Sequence, residues 1–262
     1  MMHFEVSYVI AGLAVGFIVG LTGVGGGSLM TPILLYFNVP ATTAVGTDLL
    51  YAAFTKAGGV IVHQRQKNID WRITVLLAMG SLPAAIATLT AMHYIGFTTG
   101  KVDGLIRNTL GIMLIFTAVV IIFKQRLIDY SHKRDFVLTR LSGRTREIAT
   151  VITGIVLGVV VTLTSIGAGA LGTMALFMLY PLLTTPRLVG TEIAHAVPLT
   201  LIAGLGHAGF GNVNWELLIN LLMGSLPGIY FGSRLSGTIP DKALRPALAV
   251  MLVYAGGKLV AS

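Results

Sequence analysis

LTGVGGGS, Leu21 to Ser28, and its later counterpart LTSIGAGA, Leu163 to Ala170, decide how this chain folds. Gly23, Gly25, Gly26 and Gly27 fall inside an apolar run of about thirty residues. Each glycine in a helix interior costs roughly 1 kcal/mol against alanine, so the helix is expected to open here. An opened segment at membrane depth leaves peptide N–H and C=O groups that only protein or a watery cavity can satisfy, and transporters build binding sites from such breaks. Ser28 is placed to cap the helix that resumes, and Pro32 falls in its first turn, where a missing N–H does little harm. The resumed helix would aim free N–H groups and its positive dipole end at the gap, which favours an anion. Gly12, Gly16 and Gly20, four residues apart, read instead as a ladder for close helix packing.

Outward from the breaks, the composition is that of an all-α integral membrane protein. Over 262 residues, 55% are hydrophobic and only 11% charged, less than half the charge of a soluble domain. The mean hydropathy is +0.85. There is no cysteine, which excludes disulfides, thiolate metal sites and cysteine nucleophiles. The amino-terminal stretch lacks a basic leader and runs straight into the glycine-rich segment, so it reads as a retained membrane segment. The net charge of +8 does not indicate nucleic acid, because the basic residues sit in loops between apolar runs, as membrane orientation requires.

Eight hydrophobic segments are expected, at about 7–37, 41–63, 72–95, 104–123, 148–180, 187–207, 215–233 and 243–260, the first and fifth broken by glycine. They form two copies of one unit: a membrane repeat over 1–123, a basic cytoplasmic linker over 124–147, and a second repeat over 148–262. Gly12, Gly16, Leu21, Thr22, Gly25, Gly27, Leu29 and Thr31 match Gly154, Gly158, Leu163, Thr164, Gly167, Gly169, Leu171 and Thr173. VGTD (Val45–Asp48) matches VGTE (Val189–Glu192); His63, Asn68, Trp71 and GSLP at Gly80–Pro83 recur as His207, Asn212, Trp215 and Gly224–Pro227. With all eight segments crossing, eleven Lys/Arg lie on the cytoplasmic side and six outside; with two re-entrant hairpins and inverted repeats the split is fourteen to three. The second arrangement obeys the positive-inside rule better and is the one expected.

Ionisable groups inside apolar runs are functional candidates by default. Lys56 is the one cation deep in a segment; it can neutralise an anionic substrate or pair with Asp48 or Glu192. Thr200 holds its place in the second repeat. Asp48 and Glu192 occupy matching positions, where a carboxylate can cap its own helix or carry a coupling proton. His195, three residues after Glu192, shares its helix face and can share the proton or donate to a substrate oxygen. His63 and His207, at segment ends, read as interfacial. No HExxH, GxSxG or P-loop is present, and no paired carboxylates and histidines at metal-ligand spacing, so neither an enzyme, a metal site nor a cofactor is expected.

LTGVGGGS with Pro32, the run from Val45 to Trp71, and VGTEIAHAVPLT…GNVNW from Val189 to Trp215 resemble the TauE/SafE sulfite exporter family, also called the toluene sulfonate uptake permease family. The resemblance covers nearly the whole chain. It implies a multi-pass transporter of the bacterial cytoplasmic membrane that moves small sulfur oxyanions or organosulfonates, generally exporting sulfite or sulfoacetate-like products, coupled to an ion gradient. Residues and resemblance converge on a small anion held between the two breaks. The site would comprise Thr22, Gly25, Gly26, Gly27 and Ser28 of the first repeat, Thr164, Ser165, Gly167, Ala168 and Gly169 of the second, with Lys56 and His195, while Asp48 and Glu192 couple a proton. A transporter or channel for another small anion or organic acid is the alternative; a non-transporting membrane subunit ranks behind both. Besides the anion and the lipid bilayer, a second copy of the chain is the partner left open.

Overall fold

The computed structural model describes residues 5–22, 29–95, 101–131, 143–234 and 241–260. These form helices α1 (Val6–Thr22), α2 (Met30–Tyr36), α3 (Ala41–Arg65), α4 (Trp71–Ile95), α5 (Lys101–Ser131), α6 (Gly143–Thr164), α7 (Ala170–Leu179), α8 (Thr185–Gly209), α9 (Trp215–Arg234) and α10 (Asp241–Val260). The protein is all-α and multi-span: among the described residues five helices are long and apolar enough to cross a membrane, within α3, α4, α5, α6 and α8. The second glycine-broken segment divides into a long and a short helix, α6 and α7, while α1 and α2 flank residues 23–28, which lie outside the described residues. The fourth segment extends further than its apolar run, since α5 reaches Ser131 and takes in the start of the basic stretch.

Burial is distributed as lipid requires. Ile10, Phe54, Met79, Phe116, Val156, Leu226 and Phe231 face outward, where in water such a surface would associate. Thr47, Asp48, Lys56, Ser81, Thr162, Glu192, His195, Thr200 and Ser225 are buried within the bundle.

The two halves do not pack as separate bodies. Helix α1 lies on α9, α4 on α6, α3 on α8 and α5 on α10, each pair drawing one member from each repeat. The glycine ladder makes two of these contacts. A Cβ at Gly12 or Gly16 would strike the backbone at Leu221 or Ser225, and one at Gly154 or Gly158 the backbone at Leu77 or Ser81. Without side chains there, helix backbones approach closely and gain dispersion contact that lipid tails cannot match. The register also gives directions. Positions 12 and 16 of α1 meet 221 and 225 of α9, so these helices are parallel, as are α6 and α4. Gly46 meets His207 while Gly59 meets Ile193, so α3 and α8 are antiparallel.

The VGT motifs are sockets for the opposite repeat. A Cβ at Gly46 would fall on the carbonyl of Asn212, and one at Gly190 on that of Asn68. Thr47 Oγ1 accepts the Asn214 N–H at 3.1 Å, and Thr191 Oγ1 accepts the Asp70 N–H at 2.9 Å. Each turn is thus clamped by the other half, immediately beside Asp48 or Glu192. At one end of the bundle Arg187 pairs with Asp70 at 2.9 Å and Arg72 with Glu147.

Candidate functional site

Ser165 to Gly169 separate α6 from α7, and the backbone there leaves helical geometry at once. Ser165 has φ +57° and Gly167 φ +119°, the second a conformation that any side chain would strain. The break is closed by its own groups in part: the Gly167 carbonyl accepts N–H bonds from Gly169 at 2.7 Å and Gly172 at 2.9 Å. Thr164, expected to offer its hydroxyl to a substrate, instead spends it locally. Its Oγ1 donates to the Val160 carbonyl at 2.7 Å and accepts the Ile166 N–H at 3.1 Å, terminating α6. The Ser165 hydroxyl, buried, faces the Asp48 carboxylate without making a hydrogen bond of ordinary geometry.

Lys56 enters this break from α3. Its ammonium donates to the carbonyl of Ala168, and the carboxylates of both Asp48 and Glu192 lie within electrostatic reach. The lysine therefore satisfies one of the carbonyls that the missing helical turn orphans, as expected of irregular backbone at membrane depth.

The two acids do not cap their own helices. Pro40 and Thr184 hold those positions, and Asp48 and Glu192 lie two turns further in. Each instead reaches the start of a short helix beyond a break. The Thr31 hydroxyl, near the start of α2, donates to Asp48 Oδ2, and the Thr31 backbone N–H points at the same carboxylate. In the second repeat a Cβ at Gly172, in the first turn of α7, would stand 3.0 Å from Glu192 Oε1. Asp48 Oδ1 and Glu192 Oε1 are buried, with no hydrogen-bond partner among the described residues. A negative group beside a helix N-terminus is favoured by the dipole and the free N–H groups, so both repeats use the same electrostatic arrangement.

His195 is buried with Nε2 2.8 Å from Ser81 Oγ of α4. Its repeat counterpart, Tyr51, points its hydroxyl at Ser225, the counterpart of Ser81. The serine of each GSLP motif therefore meets the other repeat's functional helix. His207, expected at an interface with polar loops, is instead fully buried, with Nε2 2.9 Å from the Thr162 carbonyl; Gly46 of α3 leaves the room beside its Cβ.

The structure thus gathers Lys56, Asp48, Ser165, Ala168 and Glu192 around the second break. His195 lies one turn along α8. Gly25, Gly26, Gly27 and Ser28 lie outside the described residues, and of Thr22 only its place at the end of α1 is described. Thr31, Ser81, Tyr51 and Ser225 are the additions; repetition marked Thr31, Ser81 and Ser225 in the sequence without disclosing their partners. Among the described residues no group of three or more His, Asp or Glu is placed to hold a metal ion.

Residues 8–259 match the family model described as sulfite exporter TauE/SafE. The chain belongs to the TauE/SafE family. A Bacillus subtilis relative, "Probable membrane transporter protein YjnA", is 38% identical over 98% of this chain and 100% of its own. Another from the same organism, "Probable membrane transporter protein YdhB", is 30% identical over 92% of this chain and 94% of its own. "Probable membrane transporter protein MJ0441" of Methanocaldococcus jannaschii is 27% identical over 95% of this chain and 92% of its own. No solved structure matches. This TauE/SafE chain is therefore a multi-pass membrane transporter with bacterial relatives, and its family is one of transporters, not of enzymes.

Proposed function

We propose that this chain is a proton-coupled secondary transporter of small sulfur-containing anions, sulfite or organosulfonates, working by alternating access between two inverted repeats. The observation that carries the reading is the placement of Asp48 and Glu192, each at the start of the short helix beyond a break, with Lys56 between them. The family model's description supplies the sulfur cargo.

Helix directions support inversion. Repeat mates α3 and α8 are antiparallel, as when the relating axis lies in the membrane plane. Helix α9 reverses α8 and is parallel to α1, so α1 and α3 point the same way, and α2 must turn back between them. The same reasoning makes α6 and α7 a returning hairpin. On this reading the repeats are 1–123 and 148–262, joined by 124–147, with α5 and α6 reaching into the linker from either side.

In this mechanism the anion enters the break at Ser165 to Gly169 and meets the Ser165 hydroxyl, the start of α7 and the Lys56 ammonium. An ionised Glu192 about 4 Å away would oppose it by roughly 4 kcal/mol at an effective dielectric constant near 20. Anion entry therefore accompanies a proton on the acid, and rocking of one repeat against the other releases both on the far side. The first break, with Gly25 to Ser28 and Thr22, supplies the facing half of the site, and His195 orients the anion from α8.

The test is uptake into proteoliposomes of labelled sulfite, thiosulfate, taurine, acetate and chloride, with and without an imposed proton gradient. Accumulation of a sulfur anion that follows the gradient is expected, with Glu192→Gln abolishing accumulation but retaining exchange. Passive flux indifferent to the gradient would make the protein a channel, and uptake of acetate alone would overturn the sulfur reading.

A further inference from the structure

Away from the breaks, a cleft of about 600 Å³ opens between the α2–α3 turn, the early part of α5 and the end of α10. Its wall is apolar at Ile33, Leu35, Val39 and Leu259 and carries two cationic side chains, Arg107 and Lys258. Arg107 is half-buried and Lys258 exposed. Tyr36 and Tyr254 line the same cleft and remain 73% and 63% exposed, and Tyr94 at the end of α4 is 83% exposed. Exposed tyrosines grouped at one end of a helical bundle mark the boundary between hydrocarbon and water.

We propose that this cleft binds one anionic phospholipid, its acyl chain along α2 and α10 and its phosphate between Arg107 and Lys258. The chemistry of the wall selects that class of ligand. A small inorganic anion has no use for an apolar floor, and a neutral lipid has no use for two cations at the rim. A cleft of this size lies within the roughly 300–1,000 Å³ span of ligand sites, and in a bilayer the molecules available to fill it are lipids. The site is built by one repeat's elbow only. Beyond α7 the counterpart elbow holds a smaller cavity, about 160 Å³, where the Arg146 guanidinium lies 5.8 Å from the centre of the Tyr180 ring.

The bound lipid would touch the hinge of the first hairpin. Asn38 sits in the left-handed region at φ +59°, and the turn is held by Asn38 N–H to Leu35 O and Val39 N–H to Leu34 O, both 3.0 Å. A chain wedged against Ile33 supports α2 from the side away from its buried Thr31. The site stands independently of the transport reading, and its test needs no transport.

Purified full-length protein in neutral detergent is titrated with phosphatidylglycerol, phosphatidylcholine, glycerol 3-phosphate and octanesulfonate, with retained ligand read by native mass spectrometry and stability by thermal unfolding. One basic residue near a membrane surface is worth about a fivefold preference for an anionic lipid, so two give about thirtyfold for phosphatidylglycerol over phosphatidylcholine. Lys258→Gln should reduce that preference to about fivefold, and Lys258→Glu should abolish it while leaving the fold unchanged, since the side chain is exposed. Leu35→Trp, which fills the cleft, should weaken both lipids together. Equal binding of the two lipids, or a preference that survives Lys258→Glu, overturns the proposal. Stabilisation by glycerol 3-phosphate matching that by phosphatidylglycerol makes the site one for a free anion, and stabilisation by octanesulfonate alone makes it one for a soluble amphiphile; either result also overturns it.

Discussion

Replacing Lys56 with methionine tests the electrostatics of the second break most directly. The methylene stem is conserved in bulk, but the buried ammonium that meets the Ala168 carbonyl and lies between two carboxylates is gone. A hydrogen bond from a charged donor contributes roughly 1.5–3 kcal/mol, and a buried carboxylate stripped of its cation costs roughly 3–5 kcal/mol if it stays ionised. The folded variant escapes the larger cost by keeping a proton on one of the two acids. The native state then holds more protons than the unfolded chain, so stability falls as pH rises, by about 1.4 kcal/mol per pH unit for one proton. Between about pH 6 and about pH 8 the variant should lose more stability than wild type over the same interval, by at most about 2.7 kcal/mol. Denaturant or thermal unfolding in detergent at both pH values reads this, and adding Glu192→Gln should restore much of the loss near pH 8. A deficit equal at both pH values and untouched by Glu192→Gln would refute the placement of Lys56 as the partner of these acids.

Gly158→Leu forces a side chain into the Ser81 backbone and should destabilise the protein by about 1–3 kcal/mol through separation of α6 from α4, measurable as a lower unfolding midpoint. Ser81→Ala leaves His195 Nε2 without its 2.8 Å partner, which should cost about 1–3 kcal/mol, whereas Ser81→Thr should recover most of it. Gly172→Ala places a methyl against Glu192 Oε1; proton-driven accumulation in proteoliposomes should fall well before stability does, with an unfolding cost below about 1.5 kcal/mol. Asp48→Asn keeps an acceptor for the Thr31 hydroxyl, so the variant should fold and exchange substrate but fail to accumulate it against a gradient.

The second break, the ladder and the membrane class were legible because each rests on local cost. Glycine in a helix interior, small residues four apart and charges confined to loops carry their meaning without knowledge of any partner. The acids and Lys56 were legible for the same reason, since an ionisable group in an apolar run needs company wherever it lies. Which company was not legible. Thr31 and Gly172 belong to short helices whose starts meet acids from α3 and α8, and one sequence holds no record of that docking. The cap reading of Asp48 and Glu192 failed because α3 and α8 begin earlier, at Ala41 and Thr185, than proximity to Gly-Thr suggested. Thr164 was chosen for its hydroxyl, yet beside an opened turn that hydroxyl is more useful to its own backbone.

The reciprocal sockets at Gly46–Thr47 and Gly190–Thr191 impose an order on synthesis. Helix α1 leaves the ribosome long before its partner α9, and position 12 must wait for position 221. At about 5–20 residues per second, that delay is on the order of 10–40 s. Throughout it the first half stands in the bilayer with Asp48 and Lys56 made but the turn at Asn212 that closes over Gly46 not yet translated. Such a chain has high contact order, and its earliest helices depend on transient cover from insertion machinery or from one another. A point of arrest or premature termination before Trp215 therefore yields no smaller transporter, only a membrane-bound fragment with its charged interior unsealed.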